Sequence, residues 1–451
     1  MSRLSLFLSF SLFYPTLSVT STGYILPVNR RALNHPVRTH DFNFDFTHSE
    51  LQGVLRKYRL VREHTILLNP ENDISDFVDG NYPDVDSMID RMLAVGSVDE
   101  IAQVTEATVF PALNGTLPLV DEIQEGIDLL YYGDVGIGTP AQVFGMDIDT
   151  GSADLWVPCG CDRCWSKQYE PHRSSTYRRR KNASPFDVTY GTGWVHGTTA
   201  VERVQVAGIV IEDQTFAAIN HKSSDFDSYS NDGILGLAFS TTAQCHEYTI
   251  VENAILQKKV NIPVFSVHLE RGHQEGSELC IGCLDPSKAL GPPSWNQVIS
   301  RAYWSISLKG FTAHGSWHLF SMKLSAAIDT GTTLIYLPSN AADQLYSKIP
   351  GARNATEYGV GFYTYPCNSV VKIELVFDNR PHSIHPDDFN QGVTSSDPSR
   401  CVGGILAMPD DSWPSNLAIV GDEFLKSWYA TFDYSSGGRV GFAPSINNRL
   451  F

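Results

Sequence analysis

From Tyr131 onward the chain breaks into short apolar runs punctuated by glycine, a texture that predicts strands joined by tight turns. Residues 130–140 read as a strand and turn opening this region, and residues 186–195 as a hairpin whose Gly191 and Gly193 permit a tight tip. Two segments share one grammar. Met146-Asp147-Ile148-Asp149-Thr150-Gly151-Ser152 runs on into Leu155-Trp156-Val157-Pro158, and Ala326-Ala327-Ile328-Asp329-Thr330-Gly331-Thr332 runs on into Leu334-Ile335-Tyr336-Leu337-Pro338. Each is an apolar strand with a carboxylate at its end, a glycine turn, and a second apolar strand. A second doublet follows at matching offsets: Gly236 in Gly233-Ile234-Leu235-Gly236 stands 87 residues after Asp149, and Gly421 in Ile419-Val420-Gly421 stands 92 after Asp329. The repetition predicts a duplicated unit, two β lobes facing each other, with the crossing near residues 263–267.

Residues 21–120 differ in texture. A basic stretch at 55–62 gives way to aspartate-dotted sequence at 73–90, with no cysteine and little alternation. This reads as a pro-segment; the plainer alternative is a partly helical extension with no inhibitory role. The expected organisation is a signal peptide at 1–20, the pro-segment at 21–120, an N-terminal lobe at 121–265 and a C-terminal lobe at 266–451. Arg3, the apolar residues 4–13 and the small residues after them carry the signal reading. No later apolar segment is long enough to span a bilayer, so no membrane anchor is expected, and the destination is secreted or the lumen of an acidic vacuole-like compartment.

Composition narrows the choices. At 451 residues the chain exceeds what one core serves, and its 42% hydrophobic content is that of a globular protein. A formal charge of −17 argues against nucleic-acid binding. Eight cysteines suit disulfides in an oxidising compartment. Cys159, Cys161, Cys164 and the Cys280/Cys283 pair have no histidine at zinc-ligand spacing beside them. Asn114, Asn182 and Asn354 begin glycosylation sequons. Asp147 and Asp149 faintly suggest a calcium loop, but glycine stands a position early and Pro158 occupies the closing acidic position.

A carboxylate in so apolar a setting is costly to ionise, and two brought together hold one proton between them and activate a water. On the two Asp-Thr-Gly motifs, the Tyr190-Gly191-Thr192-Gly193 tip, residues 232–237 and the closing runs 420–422 and 440–444, the chain resembles the pepsin-like aspartic endopeptidases over about 131–444. The resemblance implies a mostly β, two-lobed fold with short helices and a cleft between the lobes. It also implies hydrolysis of extended polypeptides in acid by Asp149 and Asp329, by a monomer with no metal or cofactor. It implies that Thr150 and Thr330 bond across the lobes, that Gly151 and Gly331 clear space, and that Ser152 and Thr332 donate to the carboxylates. Tyr190, backed by Trp156, would close over bound peptide, with Gly191 and Thr192 offering backbone groups; Phe226 would line the adjacent pocket. Lys57 and Tyr58 resemble an element that plugs the cleft of related zymogens. Cys367 and Cys401 match a family disulfide, and Cys164 would bond Cys159 or Cys161. The other pairings stay open. The rivals are a catalytically silent binding module and a carboxylate-pair glycosidase.

Overall fold

The strand Gln142–Asp149 pairs antiparallel with Ile127–Ile137 and parallel with Gly233–Gly236, bringing Asp149 beside Gly236. Leu155–Pro158 then returns antiparallel to Gly233–Gly236 on its other edge. The second half repeats this. Ser316–Ile328 pairs antiparallel with Ser305–Ala313 and parallel with Leu417–Val420, against which Ile335–Pro338 returns. The glycine doublets are there because the carboxylate turns cross directly over them. A Cβ on Gly236 would meet the Asp154 nitrogen at 2.5 Å, and one on Gly421 the Thr332 carbonyl oxygen at 2.1 Å.

The computed structural model describes residues 42–64, 78–79, 85–86, 115–162, 164–180, 185–191, 193–409 and 413–448. The signal reading of residues 1–20, the sequons at Asn114 and Asn182, and Thr192 lie outside them. The fold is mostly β, with a sheet system in each half and a few short helices. A six-stranded antiparallel sheet joins the halves in the order Thr116–Gln124, Ser277–Ile281, Val264–His268, Trp428–Asp433, Arg439–Pro444, Ser294–Ser300. The stretch at which the sequence predicts the crossing is thus a central strand of this shared sheet. Its first strand, Thr116–Gln124, straddles the expected boundary at 120. At its centre Phe265 stacks on Phe432 at 4.6 Å, and the Trp304 indole N–H donates to the Leu237 carbonyl at 2.9 Å.

Upstream lies one long helix, α1 (Phe44–His64). Thr47, Leu51, Val54 and Tyr58 fall at helical spacing and are buried, the apolar ones packing among Tyr336, Phe362, Leu406 and Trp413 of the second half. The stripe is hard to read from sequence because Arg56, Lys57, Arg59 and Arg62 interrupt it.

Buried charge ties the base together. Lys426 and Asp128, both fully buried, pair at 2.7 Å, and Arg271 forks onto Asp388 at 2.6 and 2.7 Å. Asp121 is buried beside them; burial, then the neighbouring Asp128 carboxylate, push its pKa up to about 9. A carboxyl raised in the fold stabilises fully below its ordinary 3.8, and that contribution is lost as pH rises through about 9. Across that window each pH unit costs about 1.4 kcal/mol for one proton of difference. The melting temperature of Asp121→Asn is therefore expected to fall less than the parent's as pH is raised from acid to alkaline. Identical pH profiles for the two proteins would refute this.

Candidate functional site

The two Asp-Thr-Gly turns meet at the junction of the halves. Each threonine closes onto the opposite half. The Thr150 N–H donates to Thr330 Oγ1 at 3.1 Å and the Thr330 N–H to Thr150 Oγ1 at 3.0 Å. The hydroxyls in turn donate to main-chain carbonyls, Thr150 to Ile328 at 2.8 Å and Thr330 to Ile148 at 2.5 Å. Four hydrogen bonds between groups buried in both halves pair the N–H and hydroxyl of each threonine and fix the separation of the aspartates.

Each aspartate is held the same way. Asp149 accepts from the Gly151 N–H at 2.8 Å and the Ser152 hydroxyl at 2.6 Å, while Asp329 accepts from the Gly331 N–H at 3.0 Å and the Thr332 hydroxyl at 2.6 Å. Both carboxylates are buried, with exposures of 2% and 0%. A Cβ on Gly151 would lie 2.4 Å from Asp329 Oδ1, and one on Gly331 2.4 Å from Asp149 Oδ1. Only glycine lets the carboxylates approach.

A cation from α1 sits between them. Lys57 Nζ donates to Asp149 Oδ1 at 2.9 Å and to Asp329 Oδ1 and Oδ2 at 3.3 and 3.0 Å. The Tyr58 hydroxyl donates to Asp329 Oδ2 at 2.7 Å, its ring between Tyr303 and Trp413. Burial works to raise the Asp329 pKa, but the Lys57 ammonium, then the Thr332, Asp149 and Tyr58 hydrogen bonds, outweigh it and hold the group down at about 2. Asp149 goes the other way: burial raises its pKa, Lys57 only partly offsets this, and the Asp329 charge adds to it. The two directions belong to one dyad, which ionises once readily and a second time reluctantly. Burial tends to discharge Lys57, yet the two carboxylates raise its pKa above the usual lysine value.

The hairpin of strands Pro185–Thr189 and Trp194–Val206 lies over α1. Tyr190 is buried, its ring centroid 6.1 Å from Trp156 and 6.1 Å from Phe226; Trp156 and Phe226 meet edge to face at 5.3 Å. The Gly191 carbonyl accepts from Arg56 at 3.3 Å, and a Cβ on Gly53 would overlap that carbonyl at 1.6 Å. At the other end of the contact, Glu50 Oε1 accepts from the Thr333 and Leu334 N–H groups at 2.9 and 3.3 Å.

Gly53, Arg56 and Glu50 are the residues that sequence reasoning passes over. A lone glycine inside a helical stretch is a sign of close backbone approach and was available for Gly53. Arg56 stands in the basic stretch at 55–62, but no separate role for it is legible there, and nothing in the sequence marks Glu50. Among the cysteines, Cys367 bonds Cys401, Cys161 bonds Cys164 and Cys280 bonds Cys283, leaving Cys159 and Cys245 as free thiols. Asn354 is exposed in a short strand.

Residues 130–445 match the family model described as eukaryotic aspartyl protease. The chain is 36% identical over 329 residues to an aspartic protease of Phaffia rhodozyma, covering 71% of this chain and 78% of that protein. It is 33% identical to cathepsin E of Aquarana catesbeiana, over 71% of this chain and 80% of the relative. With cathepsin D of Mus musculus it shares 31% identity, over 78% and 90% of the two chains. Paired carboxylate turns closed by reciprocal threonines and a family match across both halves lead to one conclusion: the chain belongs to the pepsin-like eukaryotic aspartyl proteases and is a peptide hydrolase.

Proposed function

We propose that Asp149 and Asp329 activate the water that attacks the scissile carbonyl, and that the arrangement with α1 in place is the latent form of the enzyme. The observation that supports this reading is the Lys57 ammonium, hydrogen-bonded to both carboxylates where the attacking water has to sit. Two carboxylates in one site do not both ionise freely, the behaviour for which aspartic proteases are the standard illustration. With α1 withdrawn, one carboxylate takes a proton from water as its oxygen attacks the carbonyl carbon, and its partner gives a proton to the carbonyl oxygen. The neutral diol then collapses: the C–N bond breaks, the nitrogen takes the proton held by the first carboxyl, and a hydroxyl proton returns to the second. Water supplies every atom added, and the dyad returns to its starting state.

The hairpin supplies the lid. Tyr190, braced by Trp156 and Phe226, would exclude water over a bound peptide. The Gly191 carbonyl, taken here by Arg56, is the acceptor an extended substrate's N–H would use, so α1 imitates the substrate at the backbone as well as at the dyad. The export reading is supported by the leader pattern at 1–20 and by three disulfides. Among the described residues no helix is long and apolar enough to cross a membrane.

Docking of α1 is linked to protons in opposite senses. Asp329, lowered in the docked state, favours docking above its ordinary 3.8, and that contribution is lost as pH falls towards about 2. Glu50, raised by burial to about 7, favours docking below its ordinary 4.5, and that contribution is lost as pH rises through about 7.

Three outcomes are expected from hydrolysis of a quenched peptide. Asp149→Asn and Asp329→Asn each abolish cleavage at acidic pH while the fold persists; a variant keeping a tenth or more of parent activity would remove that residue from the reaction. Lys57→Met loses latency at neutral pH, because two buried carboxylates are left with no cation between them, a cost of about 3–5 kcal/mol to the docked state. A Lys57→Met precursor as silent as the parent would show that α1 does not inhibit in this way. Glu50→Gln, which docks without taking up a proton, is more latent than the parent near neutrality and equal to it in acid. The reverse order near neutrality would sink the assignment of Glu50 as an opposing switch.

A further inference from the structure

The outer face of the hairpin carries a row that catalysis does not use. Asp187 pairs directly with His196 in the register of Pro185–Thr189 against Trp194–Val206, and His196 pairs directly with His221 in the register of Trp194–Val206 against Ile209–Lys222. Residues in direct cross-strand register share one face of a sheet and lie within side-chain reach. Asp187, His196 and His221 therefore form a line across three strands. The opposite face of the same strands, Phe186, Val195 and Ile219, is buried against Trp156, Tyr190 and Phe226. The row faces out, with His196 44% and Asp187 65% exposed in their side chains.

The neighbours of the two rings set their tautomers. His196 Nδ1 meets the Asp187 carboxylate, which as an ion can only accept, so this nitrogen carries the proton. His221 Nδ1 lies 2.9 Å from the Asn220 side-chain carbonyl oxygen, again an acceptor, so it too is the N–H. A bulge between His196 and Gly197 provides the extra residue, Asn220, that makes this bond. In both rings the unprotonated nitrogen is then Nε2, for which the described residues offer no partner. The ring centroids are 6.0 Å apart. Lys222, the next residue, turns away to Ser166 and Asp227, at 2.6 and 2.9 Å, so its cation does not oppose a second one here.

We propose that His196 and His221 form a two-nitrogen chelate for a divalent transition cation of the Zn²⁺, Ni²⁺ or Cu²⁺ class, with Asp187 as the outer partner that holds His196. Imidazole nitrogens select this class over calcium or magnesium, and a carboxylate on the far nitrogen of a ligating histidine orients the ring and raises its basicity. Among the described residues no three such side chains already converge to hold a metal. The site is accordingly two protein ligands with water completing the shell. A cation bound there cross-links the second hairpin strand to Ile209–Lys222 and so stiffens the base of the lid.

The test is titration of the full-length chain with Cu²⁺ at neutral pH, followed by calorimetry and by the nitrogen hyperfine pattern in electron paramagnetic resonance. The chain holds 14 histidines, so the reading comes from variants. The parent is expected to show one saturable site with two nitrogen ligands. His196→Ala and His221→Ala, both at surface positions, should each weaken it roughly 100-fold as the chelate becomes a single ligand. Asp187→Asn should weaken it about tenfold while leaving the two-nitrogen signature in place. A parent with no saturable site overturns the proposal. So does a folded His196→Ala/His221→Ala protein, with unchanged circular dichroism, that keeps the parent's affinity and spectrum.

Discussion

Two carboxylates buried side by side must be prevented from separating, and the reciprocal bonds of Thr150 and Thr330 do this. Two like charges in a low-dielectric junction do not both stay ionised readily, and the carboxylates share one site only while the turns that carry them are held together. Each threonine offers an oxygen to the other half's N–H and a proton to the other half's carbonyl, so separation would break four hydrogen bonds among six buried polar groups at once. The other motif residues follow from that closeness. Gly151 and Gly331 exist because the opposite aspartate occupies the space a Cβ would take, and Ser152 and Thr332 exist because a buried carboxylate oxygen needs a donor. Asp-Thr-Gly followed by a hydroxyl is one steric and electrostatic requirement written as four residues, twice.

That is why the junction was legible in the sequence. A requirement met locally, by consecutive residues, leaves a motif, and its duplication distinguishes it from chance. The Gly236 and Gly421 doublets were legible for the same reason, since the chain that crosses them belongs to the same motif. The helix carrying Lys57 and Tyr58 was legible only through the resemblance of those two residues to a zymogen plug, and its packing was not. Its buried stripe of Leu51, Val54 and Tyr58 is interleaved with Arg56 and Lys57, which reach to Gly191 and the aspartates, and its polar partners Gly191, Thr333 and Leu334 are backbone groups far away in the chain. A main-chain N–H or carbonyl has no letter in the sequence. The disulfides fall between these cases: Cys161–Cys164 and Cys280–Cys283 close over three residues, but the spacing left Cys159 as good a partner for Cys164 as Cys161.

On the proposed latent-form reading, Lys57 answers the dyad's electrostatic problem in a way that can be undone. A fixed cation at this place would neutralise the carboxylates permanently and occupy the reacting volume. A cation on a separate helix neutralises them only while the helix is docked, and its hold weakens when the carboxylates take up protons. Glu50 pulls against that weakening, because burial makes it prefer its own proton in the docked state. On that reading the balance of the two, rather than either group alone, sets how sharply α1 responds to acid.

The two halves share a plan but not a role. Of the residues gripping α1, the second half supplies Asp329, Thr333, Leu334, Tyr303 and Trp413, whereas the first supplies Asp149 and the hairpin carbonyl of Gly191. Thr333 has Ala153 as its counterpart in the first half. Its hydroxyl donates to the Leu129 carbonyl, an added tie between the halves that the first turn does not return. The second half thus works as the floor on which the helix rests, and the first carries the element that closes over it. Duplication supplied two carboxylates held alike; the Tyr58 hydroxyl, which bonds Asp329 and not Asp149, makes their surroundings unequal while α1 is docked.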